Sequence, residues 1–399
     1  MAVMLFTPLR CFEAVCALLI IYSLYSMDIL AVASVAVSYQ AKKTLYEDLA
    51  KTQSYGAGTD SGIAVEHPSS PEAISISTAP QAVSSPAVEV PDTLPAGNSP
   101  LDSKPPLILY AYSESDTARV NIEFFIRHGL HAAADFVFII NGNTDIAAII
   151  PEGPNIRVVQ RENVCYDIGA YAEVLTKDDL YKGYKRFIML NASIRGPFLP
   201  SWSQGCWSDM YLGKVTDEVK LVGMTANCVP TFHVQSMIWA TDTTGLETLL
   251  FPSEAVLKAY ALNPPKPFNS AKEQLEKLHP QKPGMNSCFH DMNSAVTAEI
   301  GASTLVKAAG YKVDAFMSAY HNMERYEEVC NSSRKGDVLW DKKYFGTNVH
   351  PFETLFMKSN REIDEVGLAR HSEWVAERGY SSYDICKVME MPALSGGNV

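Results

Sequence analysis

The cysteines of this chain include no CxxC pair, and without one the common structural zinc frameworks are excluded. Basic runs are missing too. Lys and Arg number 33 against 45 Asp and Glu, for a formal net charge of −12. A nucleic-acid binder needs a basic footprint to displace counterions, so no nucleic-acid partner is expected. There is no nucleophile elbow and no recognisable carboxylate pair, which argues against a secreted hydrolase. Aromatic residues give out after Tyr55 and do not return until Tyr110.

What fills that gap is Ser, Ala, Thr and Pro, with Pro68, Pro71, Pro80, Pro86, Pro91, Pro95, Pro100, Pro105 and Pro106 spread through it. Such a stretch buries too little apolar surface to offset its ordering entropy, so residues 46–105 read as a disordered stalk. Ahead of it, Ala14 to Tyr39 is apolar apart from Asp28 and a few hydroxyls, long enough to cross a bilayer. Residues 1–45 are therefore expected to form a single-pass signal anchor. A cleaved signal peptide ending near Ala31-Val32-Ala33 is the alternative. Both place the remainder in the secretory pathway, with the Golgi lumen as the expected site. Eight cysteines are present. For Cys165, Cys206, Cys228, Cys288, Cys330 and Cys386, disulfides and buried thiols stay equally open.

From residue 106 the chain reads as an α/β domain. Leu107 to Tyr112, Phe136 to Ile140, Ile156 to Val159 and Arg186 to Leu190 are short apolar runs bounded by turns, predicted as strands. Ala118 to Gly129 and Asp167 to Thr176 have helical spacing. Alternation of this kind implies parallel βαβ units. Leu221 to Met224 and Val234 to Ala240 read as further strands. In open α/β sheets ligands lie outside the carboxyl ends of the strands. Four polar segments follow those ends: Tyr110–Glu114, Asn141–Asp145, Arg161–Tyr171 and Leu190–Pro200.

These segments, in this order, resemble a family 2-like glycosyltransferase of the GT-A fold, and more closely the rhamnan synthesis F family. The residues carrying the resemblance are Phe138–Asp145, Arg161–Asn163, Asp167–Tyr171, Asn191–Pro197, Ala298–Val313 and His350–Lys358. It covers roughly residues 106–360 and implies a Rossmann-like, mostly parallel sheet flanked by helices. The domain is set at 106–325, with residues 326–399 as a C-terminal extension.

The resemblance implies a nucleotide-sugar donor, a glycan acceptor, a rhamnose-like sugar and an inverting reaction in which Glu299 is the catalytic base. Tyr112, Glu114, Asn141, Asp145, Asp167, Gly169, Asn191, Ser193 and Arg195 are the expected donor-binding residues, with Arg161 a lesser candidate. The family's metal-binding Asp-x-Asp falls on Asn191 and Ser193, so dependence on Mn²⁺ or Mg²⁺ stays open; His350 is a further candidate ligand. A catalytically inactive, GT-A-like lumenal protein that binds glycans or partners is the alternative, since Asn141, Asn191 and Ile300 all replace acids.

Overall fold

The computed structural model describes residues 104–265, 282–328 and 337–386, all within the unit Asp92–Val399. The expected anchor, the stalk up to residue 103, and residues 329–336 and 387–399 of the C-terminal extension lie outside the described residues. No helix among the described residues is long and apolar enough to cross a membrane.

Seven strands form one sheet. They are β1 (Leu107–Ser113), β2 (Asp135–Asn141), β3 (Ile156–Arg161), β4 (Arg186–Asn191), β6 (Val219–Gly223), β9 (Ile238–Asp242) and β10 (Lys312–Ala315), in the order β10-β6-β9-β4-β1-β2-β3. Two-stranded ribbons join β5 (Ile194–Arg195) to β11 (Met357–Lys358) and β7 (Ala226–Asn227) to β8 (His233–Val234). In the main sheet every pairing is parallel except those of β9, which runs antiparallel to both neighbours. The mixed, mostly parallel sheet with flanking helices matches the sequence expectation.

The central strands are central because of their composition. The first six residues of β1 and the last six of β2 are buried without interruption, as strands covered on both faces must be. At the edge, every position of β3 is half-buried or exposed. The main helices are α1 (Asp116–His128), α2 (Tyr166–Thr176), α3 (Trp207–Leu212), α4 (Thr243–Leu250), α5 (Glu254–Leu262), α6 (Met292–Ala308) and α7 (Glu365–Glu377). Helix α1 starts where Ser115 accepts a hydrogen bond from the Ala118 amide, a cap worth about 1 kcal/mol. Trp207 and Trp239 lie in the core, each donating its indole N–H to a backbone carbonyl.

One expectation shifts in detail. The run Val234–Ala240 is not one strand: it breaks between β8 and β9, and the Gln235 side chain accepts from the Thr225 hydroxyl at the break. Helix α6 begins at Met292, where Asp291 and Ser294 form a reciprocal capping box. Glu299 therefore sits two turns inside the helix. The cysteine question resolves towards disulfides. Cys165 pairs with Cys288, Cys206 with Cys386, and Cys228 is also disulfide-bonded.

Candidate active site

The chain runs outward from β1 to β3 and then returns to β4 on the other side of β1, so the βα loops diverge between β1 and β4. That switch point is where an open sheet forms a crevice. A cavity of about 910 Å³ opens there, at the carboxyl ends of the strands. One wall carries Tyr112, Asn141, Asp167, Asn191 and Ser193, all expected donor residues. Glu299 joins them from α6, and Lys358, Arg361 and Trp340 from the C-terminal segments.

The first turn of α2 places Asp167. Cys165 and Tyr166 before it hold φ of 70° and 54°. Left-handed backbone at non-glycine residues costs about 1–3 kcal/mol each and needs support from around it. The Cys165–Cys288 disulfide and a β-bridge from Cys165 to Phe289 supply that support. Burial pushes the Asp167 carboxyl above its ordinary range, and the nearby Glu299 charge adds to the effect. A hydrogen bond from the Asn191 amide group works against it. Asn191 in turn accepts from both the backbone and the hydroxyl of Ser193. Across the crevice, the Glu299 carboxylate accepts from the Ser236 amide, in the break between β8 and β9.

Gly169 does not line the crevice. A Cβ there would lie 2.8 Å from both the Ser287 carbonyl oxygen and the Cys165 Cβ. The glycine lets α2 pass beneath the disulfide-bonded loop. Glu114 and Asp145 also lie outside. Both bind the Arg119 guanidinium, and the Asp145 side chain is 81% exposed. Tyr112 directs its hydroxyl to Glu114, outward from the crevice. Asn141 is buried, donating to the Tyr112 carbonyl and accepting from Arg161 at 2.6 Å. It ties the ends of β1 and β2 together.

Arg195, expected among the donor-binding residues, bonds Asn121 at 2.9 Å and Ser372 at 3.3 Å, bracing α1 against α7. His350 caps a short helical turn, accepting from the Phe352 amide, and packs against the His371 ring. Neither lines the crevice.

Lys358, Arg361 and Trp340 were not singled out from sequence. Lys358 closes the His350–Lys358 segment whose wording carried the family resemblance, and that was its only signal. Its ammonium donates to the Ser193 hydroxyl at 2.8 Å. Burial, with Arg361 nearby, brings its pKa down to about 8, while Glu299, Asp167 and Asp337 hold it up. Arg361 pairs with Asp337 and stacks on the Trp340 ring at 4.8 Å.

No protein-family model and no curated protein matches the chain. Among solved structures it is similar to glycosyltransferases. The galactosyltransferase LgtC in complex with donor and acceptor sugar analogs is 11% identical, with 68% of this chain and 95% of that chain covered and a TM-score of 0.36. An active-site mutant of LgtC is 12% identical over the same shares, at 0.34. The glycosyltransferase GlyE of Streptococcus pneumoniae TIGR4 is 8% identical, covering 70% of this chain and 65% of that chain, at 0.35. Likeness this remote carries no functional weight; the geometry must.

The geometry does not suit a divalent metal at Asn191 and Ser193. Mg²⁺ and Mn²⁺ want hard, preferably charged, oxygen ligands. Here the oxygens are neutral, the Asn191 carbonyl already accepts twice, and an ammonium stands at the Ser193 hydroxyl. Among the described residues, three His, Cys, Asp or Glu donors converge only at His131, Cys206 and Cys386. Both sulfurs there belong to a disulfide, which leaves no thiolate to ligate.

Proposed function

We propose that the chain is a GT-A-type glycosyltransferase that binds a nucleoside-diphosphate sugar in the β1–β4 crevice and passes its hexosyl or deoxyhexosyl group to a glycan hydroxyl. One observation carries the reading. Asp167, at the start of α2, and Asn191 and Ser193, at the end of β4, share a large crevice with a carboxylate from a distant helix, Glu299. Donor-side polar groups and a lone base across a gap are what displacement at an anomeric carbon requires.

In this reading Glu299 takes the proton of the acceptor hydroxyl. The acceptor oxygen bonds to the anomeric carbon as the bond to the diphosphate breaks, with inversion. The electron pair leaves on the nucleoside diphosphate. The Ser236 amide holds the Glu299 carboxylate in place. The disulfides favour an oxidising compartment, which suits the secretory lumen and a membrane tether through Ala14–Tyr39.

The test is release of nucleoside diphosphate by the purified full chain, offered a panel of nucleotide sugars with and without glycan acceptors. Acceptor-stimulated release from one donor is the expected result. A folded chain that binds glycans and no nucleotide sugar would leave the inactive, glycan-binding reading standing instead.

A further inference from the structure

In β5–β11 the backbone pairing sets Lys358 opposite Ile194, one residue beyond Ser193, and that register delivers the Nζ to the Ser193 hydroxyl. The ammonium thus stands where the sequence resemblance places metal-binding acids. Among the described residues Lys358 forms no ion pair, whereas Arg119, Arg161, Lys214 and Lys220 are each matched to a carboxylate. Arg361 is held from one side. Its Nη1 donates to Asp337 and to the Leu339 carbonyl, and its plane rests on Trp340. Asp337 is fixed in turn by Gln235 and the Leu339 amide. Nε and Nη2 of Arg361 have no partner among the described residues. Two cations therefore line a crevice whose metal position is neutral and already hydrogen-bonded.

We propose that Lys358, seconded by Arg361, binds the diphosphate of the donor directly, so that donor binding needs no divalent metal. The inference rests on the glycosyltransferase reading and deepens it. An ammonium acts as a point charge on a phosphate oxygen, and a pre-fixed guanidinium adds planar donors. As the sugar–phosphate bond breaks, charge grows on the leaving diphosphate. Fixed cations in a partly dry crevice stabilise that charge without reorganising.

Calorimetry on the full chain decides this, using UDP, GDP, dTDP and inorganic pyrophosphate as probes, each in EDTA and in Mn²⁺. At least one nucleoside diphosphate should bind in EDTA, with a Kd changed less than about threefold by Mn²⁺. Lys358→Met should weaken it by about 10- to 100-fold, the scale of one charge-assisted hydrogen bond, while Lys358→Arg keeps most of the affinity. Thermal melts of both variants show whether each is folded. The EDTA comparison on the unaltered chain stands whatever the variants do. Binding that appears only with Mn²⁺, or that survives Lys358→Met unchanged, overturns the inference and leaves the glycosyltransferase reading intact. A folded chain that binds no probe in either buffer overturns both.

Discussion

Two polar clusters at one edge of the sheet use the same kinds of residue and come out differently. The outer one joins Glu114, Arg119, Thr144 and Asp145, partners within 30 residues of each other in sequence. Its two carboxylates share one guanidinium, and the group faces solvent. The crevice cluster joins Asp167, Asn191, Ser193 and Lys358, and its closing bond spans 165 residues. There the acid is half-buried, the middle groups are neutral, and the cation has no ion pair among the described residues. A cluster that satisfies itself locally has little left to offer a ligand. One assembled from distant segments, with charge unspent, is equipped to bind.

The largest separation between the clusters should be in turnover. Glu299→Gln preserves the acceptor for the Ser236 amide and removes the carboxylate proposed as the base. It should cut the transfer rate by about 100- to 10,000-fold while leaving donor affinity within about threefold. Glu114→Gln should change neither, and a comparable loss there would erase the distinction. Next comes the staple at the crevice rim. Replacing Cys165 and Cys288 with serine frees a 123-residue separation and should cost about 2–4 kcal/mol in a denaturant titration.

Gly169→Ala should cost about 1–3 kcal/mol, because the new methyl meets the Ser287 carbonyl and the Cys165 Cβ. Donor affinity measured on its folded fraction should stay at the wild-type value; a selective loss of affinity would restore Gly169 to the donor site. The smallest effect belongs to the outer cluster. Hydrogen bonds from Arg119 and Thr144 bring the Glu114 carboxyl from 4.5 down to about 2. The unfolded chain therefore takes up that proton first as pH falls. The stability Glu114 contributes is full above about pH 4.5 and is lost towards pH 2. At an exposed site it amounts to less than about 1 kcal/mol and shrinks in high salt. Acid unfolding curves of Glu114→Gln and wild type, overlaid at low and high salt, measure it.

Much of this architecture was legible in the chain. β1, β2 and β4 are uninterrupted apolar runs, and a strand buried on both faces can be little else. Their polar followers gather at the edge of the sheet where the crevice opens, and Asp167, Asn191, Ser193 and Glu299 meet there. Segment position alone could not separate Asp167 from Asp145. Both follow strands, but only Asp167 is turned inward, by left-handed backbone under a disulfide.

What the sequence by itself determined was local: which runs become strands, which residues cap helices, and at which end of the sheet the polar loops gather. Hydrophobic periodicity and capping act over a few residues, so they can be read in order. The tertiary structure alone decided which cysteines pair, why residue 169 is glycine, and that Lys358 reaches Ser193. Each of these depends on segments brought together across more than a hundred residues, and no local pattern encodes such a distance.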